Sequence, residues 1–188
     1  MHTLIIGLAG QPSSGKDTAA EFLASKGFTH ISTSDMLRAR MRENNIPIDR
    51  VHMHDFSASE RAIYGPGYLA VLAAEKAKDV QVKGAIISGL RHPAEVEALR
   101  SAFGAQCILV VTEASIETRY KRAKDRNRTG DDISFERFKE QEEAERKSAS
   151  GAHEVDAVIA MADEVVHNDG TREEFMAALE SLYNRIST

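Results

Sequence analysis

The sequence predicts a layered α/β fold built on a parallel sheet, and three observations carry that expectation. Short runs rich in Ile and Val recur along the chain, segments with apolar residues three and four apart separate them, and 188 residues suffice for one sizeable core. The strand candidates are Leu4–Ala9, Thr29–Ser32, Ala85–Ser88, Ile108–Val111 and Val165–His167. The helical patterns are Thr18–Lys26, Tyr68–Lys78, Ala94–Phe103, Ile116–Asn127, Phe135–Arg146 and Arg172–Ile186. Pro93 suits a first helical turn, where its missing N–H costs nothing, and Thr171-Arg-Glu-Glu174 reads as a capping box. Strands alternating with helices imply βα units. Neither a repeat nor a linker rich in Pro, Gly or Ser divides the chain, so one domain is expected over residues 1–188. The poorly patterned stretch from Asn44 to Gly67 is expected to cover part of a site or to form a small mobile lobe.

Composition narrows the function classes. Twenty-four basic residues stand against 29 acidic ones, which argues against general nucleic-acid or membrane binding and favours small charged ligands. The single cysteine, Cys107, can form no internal disulfide and reads as a small buried hydrophobe, in keeping with a reducing compartment. The apolar start lacks a basic flank and no stretch has membrane-spanning length, so a cytoplasmic protein is expected. His52 and His54 with Asp55 lack further metal-ligand neighbours in the sequence. Tyr64 and Tyr68 could stack on a base, with core or surface packing the simpler role.

The chemistry concentrates first at Gly10-Gln11-Pro12-Ser13-Ser14-Gly15-Lys16, set between a strand pattern and a helix pattern. Glycines let backbone N–H groups curl around a polyphosphate, the next helix presents its positive end, and lysine adds a mobile charge. A nucleoside triphosphate is the expected ligand, with Gly10, Ser13, Ser14, Gly15, Lys16, Asp17 and Thr18 as its binding residues. Asp17 stands where a magnesium-binding hydroxyl usually follows the lysine, and the hydroxyl comes only at Thr18. Asp17 suits a first-turn dipole role as well as a place in a magnesium shell shared with Thr18.

His30-Ile-Ser-Thr-Ser-Asp-Met-Leu-Arg38 then gathers hydroxyls, an acid and an arginine at a strand-to-helix turn, which can cap its own helix or hold a substrate. This segment resembles the acceptor turn of adenylate kinases and related nucleoside monophosphate kinases, with a serine where that family carries glycine. The resemblance implies that Thr33 and Arg38 hold an acceptor nucleotide. Ile86-Ile-Ser-Gly-Leu-Arg-His-Pro93 resembles the family's strand ending in Asp-Gly followed by an acceptor-phosphate arginine, which assigns that role to Arg91 and leaves Ser88 in place of the aspartate. Asp35, before Asp17 or Glu95, is the expected source of the missing charge. Arg61 resembles an acceptor position of the deoxynucleotide-kinase-like members, although a solvated helix charge explains it too.

Arg119, Arg122 and Arg126 fall at i, i+3 and i+7, which would align them on one helix face, with Arg128 just beyond. A solvated basic face accounts for such a row, and so does stabilisation of a migrating phosphoryl group. The segment from Arg126 to Asp132 resembles a short kinase lid, placed at about residues 126–134, with an acceptor-binding lobe at about 33–80. Asn168-Asp-Gly170 resembles the loop bordering adenine in adenylate-kinase-like and dephospho-coenzyme A kinase-like proteins, and is equally a plain turn.

Taken over most of the chain, the resemblance implies a three-layer α/β/α P-loop NTPase fold with a five-stranded sheet in the order 2-3-1-4-5. It further implies ATP as donor, magnesium as cofactor, and Lys16, Arg119, Arg122, Arg128 and Asp35 as catalytic residues. The expected activity is phosphoryl transfer to a nucleoside or deoxynucleoside monophosphate. Dephospho-coenzyme A kinase activity and a non-catalytic nucleotide sensor are the alternatives.

Overall fold

The computed structural model describes residues 4–79, 83–126, 133–147 and 154–187. In chain order these form β1 (Leu4–Ala9), α1 (Lys16–Ser25), β2 (Thr29–Ser32), α2 (Thr33–Glu43), α3 (Arg50–Tyr64), α4 (Tyr68–Lys78) and β3 (Gly84–Ser88). Then follow α5 (Pro93–Phe103), β4 (Cys107–Glu113), α6 (Ile116–Arg126), α7 (Phe135–Lys147), α8 (Val155–Ile159), β5 (Glu164–His167) and α9 (Arg172–Ile186).

The sheet is all-parallel in the order β2-β3-β1-β4-β5. Its central strand is buried on both faces because its side chains alternate between two cores. Ile5 and Ala9 join Ile87, Leu109 and Val111 beneath α4, α5 and α8. Ile6 and Leu8 join Ile86, Val110 and Val166 beneath α1 and α9. A period of two on each strand thus yields three layers. Register then brings every strand's carboxyl end to one edge, with Leu8 opposite Ser88, Ser32 opposite Ser88, Ala9 opposite Val111, and Glu113 opposite His167. Open α/β sheets bind ligands at that edge.

The capping expectations hold. Pro93 opens α5 behind the His92 cap, and Thr171 and Glu174 exchange both capping-box hydrogen bonds at the start of α9. Cys107 is buried at the start of β4, and burial pushes its thiol up to about 11, which makes it a packing residue.

Most of the stretch from Asn44 to Gly67 is the 15-residue α3, capped by Asp49 accepting from the His52 amide. Its apolar pattern is weak because Val51, Ile63 and Tyr64 face outward, while Met53 and Phe56 pack on the small cluster of Leu37, Met41, Tyr68 and Leu69. His52 pairs with Asp49 and His54 with Asp55, and no metal-binding cluster is present among the described residues. The five-residue α8 was also not foreseen from sequence. Among the described residues, no helix is long and apolar enough to cross a membrane.

Leu8 is completely buried in the central strand. Leu8→Ala should therefore cost about 2–5 kcal/mol, read as a parallel fall in the denaturant midpoint at unchanged m-value.

Candidate functional site

The loop after β1 is shaped by backbone positions that only some residues tolerate. Gly10 and Gly15 have φ of 140° and 107°, and Ser13 also lies at positive φ, 62°. A Cβ on Gly10 would sit 2.3 Å from the Thr112 carbonyl oxygen, so β4 presses directly on the loop. Ser14 is buried, its hydroxyl sharing a 2.8 Å hydrogen bond with that of Thr112. Gly15 is the N-cap of α1 and offers no side chain to its first-turn amides, which stay available to an anion.

Lys16 donates from Nζ to the Gln11 carbonyl across the loop at 2.7 Å. Burial, reinforced by the positive charges of Arg91, Arg119 and Arg126 and opposed by Asp17, lowers its pKa to about 8. That pattern places the loop lysine in the field of arginines from β3–α5 and from α6, which are distant in sequence. Asp17 is exposed and Thr18 half-buried in the first turn.

The arginines of α6 differ from one another in depth and in partners. Arg119 is 2% exposed, and every nitrogen of its guanidinium is engaged. Nε donates to the Ala114 carbonyl at 3.0 Å, and Nη1 and Nη2 form a bidentate pair with Glu142 of α7. Half-buried Arg122 donates from Nη2 to Asn168 Oδ1 at 3.0 Å, and its Nη1 is buried with no partner among the described residues. Arg126 is exposed. Arg128 and most of the expected lid lie outside the described residues, although Tyr120 of α6 packs on Phe135 and Phe138 of α7 across that segment.

The turn after β5 grips the loop. Asn168 is 5% exposed; its backbone N–H donates to the Glu113 carbonyl at 2.7 Å, and its side-chain Nδ2 to the Ser14 carbonyl at 2.9 Å. Asp169 accepts from the Ser115 amide, the Ser115 hydroxyl and the Thr118 hydroxyl, bonds that hold its carboxyl below the usual range. Gly170 is exposed and leads into the Thr171 cap. Beside this turn a pocket of about 440 Å3 opens between Gln11, Thr112, Ser115, Asp156 and His167. A larger hollow on α9, near Glu180 and Arg185, lies away from all of this chemistry.

At the strand-to-helix turn after β2, Thr33 is buried and donates its hydroxyl to the Ser88 carbonyl at 3.1 Å, beside Gly89 at φ 90°. Arg38 pairs with Asp35 at 2.6 Å near the surface. Ser88 shares a 2.7 Å hydrogen bond with His30 Nε2. Arg61, in the last turn of α3, is half-buried, and its charge reaches Tyr68 and Glu95. Tyr68 donates its hydroxyl to Glu60, which also pairs with Arg40, so this tyrosine is a packing residue. Tyr64 is exposed and lies against the Tyr68 ring.

Glu95 is the carboxylate deepest in this region. It is fully buried, one oxygen accepts from the Arg91 and His92 amides at 2.7 and 3.0 Å, and the other has no partner among the described residues. Burial raises its pKa, while those two amides and the charge of Arg61 work against the rise. Sequence reasoning ranked it behind exposed Asp35. It missed Thr112 and Glu142 altogether, since an isolated Thr or Glu gives no local signal.

A parallel sheet ordered 2-3-1-4-5, with a phosphate loop after its first strand and arginines around the loop lysine, defines a P-loop protein of the kinase fold. The chain belongs to the UPF0200 family: it is 31% identical to UPF0200 proteins of Saccharolobus solfataricus (97% of this chain, 93% of the relative) and Pyrococcus abyssi (97% of each). Residues 9–139 match the family model described as an AAA domain. The fold is similar to that of shikimate kinase from Bacteroides thetaiotaomicron, at TM-score 0.63 and 13% identity over 98% of this chain and 99% of that one. It is also similar to a Thermus thermophilus protein, at TM-score 0.62 and 20% identity over 98% of each chain.

Because Glu142 neutralises a buried guanidinium, Glu142→Ala should destabilise the protein by about 3–5 kcal/mol in equilibrium denaturation. A loss below about 1 kcal/mol would show that Arg119 finds solvent or another anion instead.

Proposed function

We propose that the protein is an ATP-dependent phosphotransferase whose acceptor is a nucleoside or deoxynucleoside monophosphate. The observation that carries this reading is the loop after β1, with Gly10, Ser13 and Gly15 at positive φ, Lys16 bonded across it, and a lysine pKa lowered by burial and by the charges of Arg91, Arg119 and Arg126, a field that a polyanion would offset. Loop amides and Lys16 hold the donor phosphates, and Lys16 regains its full charge when they arrive. Arg122 and Arg91 stabilise charge on the oxygens of the phosphoryl groups. An oxygen of the acceptor phosphate attacks the γ-phosphorus as the bond to the ADP oxygen breaks, so no side-chain nucleophile takes part.

Arg38 supports acceptor binding because its pair with Asp35 is exposed, and such a pair is weak enough to be exchanged for phosphate. Thr33 acts one step back, fixing the turn at Ser88 and Gly89. Arg61 adds positive charge on the α3 side. Asn168 and Gly170 belong to the donor side, through the loop rather than through a base. Magnesium fits as a partner of the bound phosphates: the adjacent oxygen donors Asp17 and Thr18 suit a hard cation that keeps waters and phosphate oxygens as its other ligands. When bound, it offsets the phosphate charge.

A small-molecule alcohol acceptor is the second reading, favoured by the likeness to shikimate kinases. It requires a carboxylate to take the hydroxyl proton, for which Asp35 and Glu95 are the candidates. We further propose a cytoplasmic location, in line with the reduced single cysteine.

The test is ADP release from ATP and magnesium across ribo- and deoxynucleoside monophosphates, dephospho-coenzyme A and shikimate. Turnover with one monophosphate, reduced at least a hundredfold by Lys16→Ala in a folded variant, is the expected result. Turnover only with an alcohol selects the second reading. Tight ATP binding without any turnover makes the protein a sensor.

Lys16 also sets a pH dependence. Its pKa is about 8 in the free protein, and a bound polyphosphate raises it, so ATP affinity should be full below pH 8 and fall as pH rises beyond it. Calorimetry near pH 8 in buffers of different ionisation enthalpy should register proton uptake on binding; proton release would contradict the assignment.

A further inference from the structure

We infer that Asn168 is a positioning residue for the phosphate loop: held by Arg122, its side-chain amide fixes the Ser14–Gly15 peptide so that the Gly15 N–H faces the anion cradle. The inference rests on the nucleotide-binding reading and assigns the turn after β5 a role toward the phosphates rather than the base.

In a planar trans peptide, C=O and N–H point in opposite directions. The Ser14 carbonyl turns outward to Asn168 Nδ2 at 2.9 Å, which turns the Gly15 N–H inward. Asn168 is itself anchored to the sheet edge, because its backbone N–H donates to the Glu113 carbonyl at 2.7 Å. The side chain packs closely on the loop, since a Cβ on Gly15 would lie 2.3 Å from Nδ2. Glycine at position 15 is therefore required by its φ of 107° and by the asparagine behind it.

The amide works in both directions. It donates to the loop and accepts from Arg122 Nη2 at 3.0 Å, a combination that aspartate, an acceptor only, and leucine, neither, fail to reproduce. Arg122 Nη1 is buried with no partner among the described residues. An anion seated on the loop gives that nitrogen an acceptor, so loop shape and Arg122 are coupled through a single side chain.

The experiment measures binding of ATP and, separately, of inorganic triphosphate to the whole protein by calorimetry, for wild type, Asn168→Leu and Asn168→Asp. The expected result is a loss of about tenfold or more, by the same factor for both ligands. A residue that reads the base would weaken ATP alone, and unchanged triphosphate affinity overturns the inference. Should the leucine variant fail to fold, Asn168→Ser carries the same comparison. In the ligand-free protein, the Gly15 amide resonance should shift in the variants, and an unmoved resonance also counts against the proposal. If wild type binds neither ligand, the nucleotide reading fails and takes this one with it. If wild type and variants bind both equally, only the role of Asn168 fails.

Discussion

The shape of the loop after β1 is the constraint on which the site depends, and its neighbours impose it from outside. Thr112 at the end of β4 meets Gly10 and Ser14, Asn168 after β5 holds the Ser14 carbonyl, and Lys16 closes the loop on Gln11. Three adjacent strands thus determine the loop's shape, which is possible only because the parallel register ends them at one edge. Preorganisation of this kind moves the cost of orienting dipoles from the binding step to folding. The tight packing of β1, with Ile5, Ile6 and Leu8 entirely buried, is what makes the anchor stiff.

Positive charge at the site is arranged by depth. Arg119 is neutralised in the interior by Glu142, which joins α6 to α7 across the segment expected to form the lid. Arg122 is half satisfied, and Arg126 reaches into solvent. A guanidinium that is already fully paired is poorly placed to turn toward a phosphate, whereas one with an unpartnered nitrogen gains from doing so. The three arginines are therefore not equivalent: Arg119 acts through its field and its tie to α7, and Arg122 keeps a buried nitrogen for the contact proposed above.

The strands and most helices were legible because a parallel sheet writes its buried strands as short Ile/Val runs, and because Pro93 and the Thr171–Glu174 box mark helix starts by local chemistry. The loop was legible for the same reason: its glycines answer to backbone angles. α3 was not, since its exposed Val51, Ile63 and Tyr64 blur the periodicity that burial would otherwise impose. Arginine spacing placed three charges on one helix but carried no information on what each meets. Glu142, 23 residues from its partner, and Thr112, 98 from Ser14, act through tertiary contact alone.

The acceptor side departs most from the kinase pattern, and the departures compensate one another. Ser88 ends β3 with a hydroxyl that shares a hydrogen bond with His30 Nε2, so a hydroxyl stands there in place of the aspartate of the resembling pattern. The negative charge nearby is instead Glu95, withdrawn into the start of α5 and bonded to the amides of Arg91 and His92. A carboxylate in that position orients the Arg91 turn by its backbone while its own charge is offset by the helix end. The positive charge of Arg91 joins burial in lowering the lysine pKa, with Asp17 opposing. A ligand carrying two phosphate groups would offset both positive charges at once, so the acceptor phosphate proposed above does not depend on an aspartate at the end of β3.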